Sequence, residues 1–223
     1  KAWRGGVLIT AAPDILFAED TDGDGRADRR EVLYRGFGEG NQQHRVNGLR
    51  WGLDNWLYAA NGDSGGTVTS VKTGIQVPIR GRDLRIRPDQ GHLAAQSGQT
   101  QFGRNRDDWG NWFGGNNSNP MWHYVLDDYY LSRNPYLTAP PVRQAVSVAP
   151  GAVPVFPTSR SLARFNDPAK LNRFTSACSP MIYRDSLLFP STTQAFICEP
   201  VHNLVHREIV TRKGLSFRSQ RAA

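Results

Sequence analysis

The chain has 223 residues, of which 39% are hydrophobic, 10% aromatic and 21% charged, with a net charge of +7. A chain of this length can bury roughly 70% of its unfolded surface, and this aromatic content excludes a disordered polymer. No apolar run reaches the ~18 residues of a membrane-spanning helix, and the arginines that set the positive charge are scattered rather than gathered on one stripe, which argues against a nucleic-acid binder.

Short runs of β-type residues separated by Gly, Pro, Asn and Asp predict strands at 6–10, 14–17 and 31–34. The clearest hairpin follows: 48–51 out, Gly52-Leu53-Asp54-Asn55 as the turn and 56–60 back, with Asn at a bend position that tolerates positive φ. Strands are expected again at 68–71, 75–79 and 84–87. In the last, Leu84 and Ile86 point one way and Arg85 and Arg87 the other. Residues 98–120, with their Trp, Asn and Gly, fit neither helical nor strand period and read as a long ordered loop. Short helices are expected at 127–132 and 168–174, a proline-rich connector at 139–157, and strands at 179–183, 187–189, 194–198 and 207–211. The pattern is all-β, of the sandwich, barrel or propeller kind, with long loops and few short helices. No self-similar period stands out.

The strongest chemical motif is Asp20-Thr21-Asp22-Gly23-Asp24-Gly25-Arg26-Ala27-Asp28-Arg29-Arg30-Glu31, which fits Asp-x-Asp-x-Asp-Gly-x5-Glu. Calcium takes six to eight oxygens at ~2.4 Å. Asp20, Asp22, Asp24, Asp28 and Glu31 would supply carboxylates and Arg26 its carbonyl, while Gly25 permits the sharp turn. The competing reading is a solvated acidic turn. Strand-like flanks make this a calcium loop without a helix pair, with a structural role.

Two further groups bracket the hairpin. Asn41 to Gly48 contains His44, and Asn61-Gly62-Asp63-Ser64-Gly65-Gly66 contains Asp63. A histidine is the best single general base near neutral pH, although a histidine bonded to a turn is the plainer reading. Trp109, Trp112 and Trp122 with Asn111, Asn116, Asn117 and His123 suggest an aromatic, amide-lined pocket for a sugar or a flat cofactor, against simple aromatic packing of a long loop. Cys198, His202 and His206 have a zinc-like spacing on a helix, but Glu199-Pro200 argues against a helix there. Cys178 and Cys198 form one disulfide or remain two thiols.

Four stretches, residues 14–38, 41–58, 107–114 and 199–208, resemble the membrane-bound dehydrogenase β-propeller proteins of planctomycetes and verrucomicrobia, which are similar in turn to soluble quinoprotein glucose and sorbosone dehydrogenases. The resemblance implies a partial β-propeller of four-stranded blades and oxidation of a sugar or polyol hydroxyl. His44 would be the base and pyrroloquinoline quinone the hydride acceptor, with Asp63, Arg104, Arg106 and Asn119 on the cofactor side. Trp109, Trp112, Asn117, His123 and His202 would line the substrate. The family's Arg-Asn-Pro motif is replaced by Asn117-Ser118-Asn119-Pro120, without the arginine. A rival reading is a non-catalytic, calcium-stabilised propeller that binds carbohydrate or a protein partner. The chain starts at Lys1 and is expected to be part of one propeller domain within a longer protein, with a c-type haem domain downstream. Its expected setting is periplasmic or extracellular, with any membrane attachment through parts outside this stretch.

Overall fold

The computed structural model describes residues 1–134, 136, 138, 141–147, 154–158 and 172–222. They form an all-β protein of short antiparallel strands, divided into two compact units, Lys1–Gln99 and Thr100–Ala223.

In the first unit β1 (Ala2–Trp3), β2 (Gly6–Ala11), β3 (Asp14–Glu19) and β4 (Arg29–Phe37) run as a meander. The predicted hairpin is β5 (Asn47–Trp51) and β6 (Leu57–Ala60), in register Trp51 to Leu57, and Asn55 takes the expected positive φ of 60°. Next come β7 (Gly66–Ser70), β8 (Gln76–Pro78), β9 (Asp83–Arg87) and β10 (His92–Gln96). The strands pair as two sheets, β1-β2-β3-β4-β7-β8 and β10-β9-β6-β5, so β7 and β8 leave the hairpin's sheet to complete the first. Alternating side chains from both sheets build one core, with Leu8, Ile15, Tyr34, Leu57, Val68, Ile79, Leu84 and Ile86 all sealed from solvent. Each fully buried aliphatic chain here contributes roughly 1.5–3 kcal/mol. On the outer face of β9, Arg85 and Arg87 lie over the Trp56 ring at 4.6 and 4.7 Å, so the alternation read from Leu84 to Arg87 holds.

The second unit carries β11 (Asn105–Arg106), β12 (Trp112–Gly114), β13 (Trp122–Tyr124), a helical turn α1 (Asp128–Leu131) and β14 (Arg143–Ala145). Strands β11 to β14 form one sheet in sequential order. The helical turn expected at 127–132 is present, with Asp127 capping the Tyr129 amide. A two-stranded pair, β15 (Pro154–Val155) and β16 (Asn172–Arg173), precedes a second four-stranded sheet with longer strands, β17 (Cys178–Tyr183), β18 (Thr193–Glu199), β19 (Leu204–Lys213) and β20 (Ser216–Arg221).

Three expectations are corrected. The stretch 98–120 is not all loop, since β11 and β12 lie within it. Residues 187–189 are not a strand: Asp185 takes the Leu187 amide in a tight turn, leaving Leu187 83% exposed. The end of the helix expected at 168–174 is strand β16, while 168–171 lie outside the described residues, as does much of the connector at 139–157.

Candidate functional site

The acidic motif forms the connection between β3 and β4. The Asp28 amide closes it by donating to the Glu19 carbonyl at 3.0 Å. Inside, each carboxylate caps backbone amides. Asp20 accepts from Gly23 at 2.6 Å and Gly25 at 2.8 Å, Asp22 from Asp24 at 3.2 Å, and Asp24 from Arg26 at 2.7 Å. Asp28 accepts from both the amide and the hydroxyl of Thr21 at 2.9 Å. Gly23 and Gly25 supply the left-handed φ values of 82° and 86° that fold the loop back on itself. The amide bonds from Gly25 and Gly23 hold the Asp20 carboxyl below its ordinary range, and Thr21 does the same for Asp28.

Oxygens of Asp20, Asp22 and Asp28 all lie within 4.8 Å of one another. Two ligands at ~2.4 Å on opposite sides of one calcium ion are about 4.8 Å apart, so this spacing suits a single cation. Asp24 and Glu31 stand outside that group. Glu31 lies within β4, and its carboxylate takes Arg29 Nη2 at 3.0 Å. The donor set that fits is therefore carried by the loop itself, residues 20–28, and is exposed to solvent.

His44 ends a 3₁₀ turn, Gln42–His44, capped by Asn41. Its carbonyl accepts the Ser64 hydroxyl at 2.5 Å. A Cβ on Gly62, at φ +74°, would lie 2.1 Å from the Arg45 carbonyl, so glycine alone lets the 61–65 loop lie flat on the His44 turn. The hairpin thus brings the His44 and Asp63 segments together, as their flanking positions predict. Asp63 adopts φ 71° and accepts Gln99 Nε2 at 2.9 Å. The organiser of this loop is Asn61, which the sequence does not mark. Its amide donates to the buried Asp83 at 2.9 Å, its Nδ2 to the Ile79 and Arg82 carbonyls at 2.6 and 2.8 Å, and its Oδ1 accepts Gly65 at 2.9 Å.

In the second unit the aromatic cluster divides between the two faces of one sheet. Trp112 pairs with Tyr124 in register and Phe113 with His123. Arg104, 2% exposed, is clasped between the Trp112 and Tyr124 rings at 4.9 and 4.7 Å. Trp122 lies buried beneath Arg143 at 4.1 Å. On the other face His123 packs between Phe113 and Phe217, with Nδ1 3.0 Å from the Ser216 hydroxyl, and burial pushes its pKa down to about 4. Arg106 donates to the Asp107 carbonyl at 2.9 Å. Asn119 donates to Asn116 at 3.0 Å, and the Asn117 amide donates to Gln101 at 2.9 Å.

Trp109 alone of this set faces solvent, at 76% exposure. Asp107 fixes its turn by accepting the Trp109 and Asn111 amides at 3.0 and 2.9 Å and Asn111 Nδ2 at 2.6 Å. Trp109 is one of the residues lining a cavity of about 440 Å³, together with Asp108, Tyr183, Arg184, Phe189 and Arg212. Asp108 and Arg184 are ion-paired at 2.6 Å there.

The segment 198–206 is strand, 3₁₀ turn and strand, so the helical zinc spacing does not arise. His202 is buried instead, with Nδ1 3.1 Å from Glu199. Glu199, equally buried, accepts the Thr175 and Ser176 amides at 3.2 and 3.0 Å and the Ser176 hydroxyl. A parallel arrangement joins His206 Nε2 to Glu208 at 3.1 Å, and Glu208 also accepts Ser219 and Ser147. The two glutamates escape a sequence reading because their partners come from distant strands and loops.

These features define an antiparallel, all-β protein with an acidic hairpin loop and a tryptophan-lined cavity. The chain matches, over residues 1–223, the family described as Domain of unknown function (DUF7133), and it belongs to that family. No curated protein and no solved structure matches it.

Proposed function

We propose that this chain is a calcium-stabilised β-propeller module that binds a saccharide at the Trp109 cavity. The observation that carries the reading is an indole held open to solvent on a turn that Asp107 fixes. A pyranose ring has one face of C–H bonds and a rim of hydroxyls. The indole offers a flat apolar surface to the first, and the Asp108–Arg184 pair with the hydroxyls of Ser186, Ser191 and Thr192 offers donors and acceptors to the second. The volume lies within the range of small-molecule sites. The exposed Asp20–Asp28 loop suits the weak, roughly 10⁻⁴–10⁻³ M calcium affinity of extracellular modules, and hence an extracytoplasmic setting. The four-stranded antiparallel sheets in both units support the propeller architecture. Titration with a panel of soluble gluco-, manno- and xylo-oligosaccharides, followed by tryptophan fluorescence, tests the site. Binding at least tenfold weaker in Trp109→Ala, about 1.4 kcal/mol, is expected. A panel without any binder, or equal binding in the variant, overturns the reading.

A second reading, a quinoprotein-type dehydrogenase with His44 as base, is favoured by the contact between the His44 turn and the Asp63 loop. The residues expected to hold the quinone fit it poorly. The Arg104 guanidinium is enclosed between two rings, while Arg106 and Asn119 are engaged by neighbouring loop atoms. His123 and His202 are likewise buried. Dye reduction with added quinone, calcium and a sugar that is lost in His44→Ala would reinstate this reading.

A further inference from the structure

Cys178 and Cys198 are directly opposite each other in the β17–β18 pair. Side chains of facing residues in an antiparallel ladder project from the same side of the sheet. Their Cα atoms are separated by ~4.5–5.5 Å, inside the ~4.4–6.8 Å window of disulfides. Both thiols are free, with Cys198 exposed and Cys178 half-buried. The Cys178 sulfur already leans over the partner strand, 3.7 Å from the Cys198 carbonyl. Just beyond it the register shifts, and Ser179 takes a left-handed φ of 48°. Bulges of this kind re-aim side chains locally.

We propose that this pair is an oxidation site that closes to a cross-strand disulfide and fixes the loops anchored on residues 177–179. The chemistry needs a small oxidised disulfide, such as oxidised glutathione. The exposed Cys198 thiolate attacks one sulfur of it, a new S–S bond forms, and one small thiolate leaves. Cys178, deprotonated in turn, attacks the Cys198 sulfur, the protein disulfide forms, and the second small thiolate leaves. Overall the protein loses two electrons and two protons, and the small disulfide is reduced to two thiols. The order follows from accessibility. Burial, with Cys198 and Glu199 nearby, pushes the Cys178 thiol up, so Cys198 is the entry point and ring closure speeds up as pH rises.

Closure has a defined local consequence. The Ala177 amide donates to the Asn117 carbonyl at 3.1 Å, and the Ser179 amide and hydroxyl both reach the Phe102 carbonyl at 3.0 Å. A covalent tie at Cys178 therefore holds the point from which the loops at 100–104 and 115–120 are suspended.

The full chain, purified with reductant and then exposed to oxidised glutathione, gives the test. Intact mass should fall by two hydrogens without a lasting glutathione adduct, and thiol titration should show both thiols lost. The melting temperature should rise by roughly 5–15 °C, reversibly with dithiothreitol, and hydrogen exchange at 100–104 and 115–120 should slow. In Cys178→Ser the reaction should stop at the Cys198 adduct with the melt unchanged. Two persistent thiols, a wild-type protein that stops at the adduct, or disulfide-linked dimers overturn the proposal. Unchanged exchange in the two loops overturns their fixation.

Discussion

The two units manage charge in opposite ways. In the first, ionic groups crowd into a solvent-facing loop, and among the described residues Asp83, bonded to the Asn61 amide, is the one buried charged side chain, beside the neutral Ser70, Gln96 and Ser97. In the second, Arg104, His123, Glu199, His202, His206 and Glu208 are all buried, each against specific partners. An apolar core tolerates changes of solution, whereas a buried polar network is favourable only while every member is satisfied. The first unit should therefore respond to cations through its loop, and the second to pH and to the loss of any one polar partner.

The largest test of that contrast is Glu199→Ala. It leaves the Thr175 amide and the Ser176 amide and hydroxyl without their acceptor, and removes the carboxylate that lies 3.1 Å from the buried His202 ring. A loss of about 3–5 kcal/mol in urea unfolding is expected, and hydrogen exchange should accelerate in 172–222 before it does in 1–99. A loss below ~1 kcal/mol would erase the distinction.

A smaller effect is expected from acid. His123 is held neutral, with a pKa pushed from 6.5 down to about 4 by burial. Arg212 reinforces that shift and Asp107 opposes it. Between those values the unfolded chain binds the proton and the folded chain does not, so stability falls as pH drops from 6.5 toward 4. At most about 3 kcal/mol is at stake, at 1.36 kcal/mol per pKa unit. His123→Phe should flatten this part of the stability profile, and an unchanged slope assigns it to other groups.

Smaller again is the cation. Calcium at about a hundredfold over its dissociation constant adds ~2.7 kcal/mol to the state that binds it, so EGTA should lower the melting temperature by several degrees. Asp22→Ala should abolish that difference, and it should shrink as acid protonates Asp20 and Asp28. Because backbone and Thr21 bonds hold those two carboxyls low, their contribution persists below the ordinary carboxylate range. Smallest is Trp109→Ala, whose exposed ring should leave stability within ~0.5 kcal/mol of wild type. A large loss would show the ring to be a packing element.

How much was legible follows from element length. The hairpin β5–β6 announces itself because Leu49 and Trp51 alternate with Arg50 in β5, Leu57 to Ala60 form a short apolar return strand, and Asp54-Asn55 carries the bend. Strands β11 to β13 are too brief for a period of two to show against their Trp and Gly neighbours. β20 is hidden by its polar string Ser216-Phe217-Arg218-Ser219-Gln220-Arg221. The acidic loop was legible as a cluster of carboxylates, but only folding shows that Asp20, Asp22 and Asp28 approach one another while Glu31 is held by Arg29. The grouping of Trp112, Trp122 and His123 failed for a related reason. Adjacency in sequence said nothing of Arg104 arriving between Trp112 and Tyr124, or of Phe217 arriving beside His123.

The departure of β7 and β8 from the hairpin's sheet has a bearing on how the first unit is assembled. The chain visits one sheet, crosses to the other for β5 and β6, returns for β7 and β8, and crosses back for β9 and β10. Neither sheet can be completed from a continuous stretch of polypeptide. The two are interleaved like pages of facing books, so removing residues 66–78 would uncover the edge of β4 as well as shorten a loop. Pairing between segments so far apart along the chain slows folding, and 1–99 is expected to form in one concerted step rather than sheet by sheet.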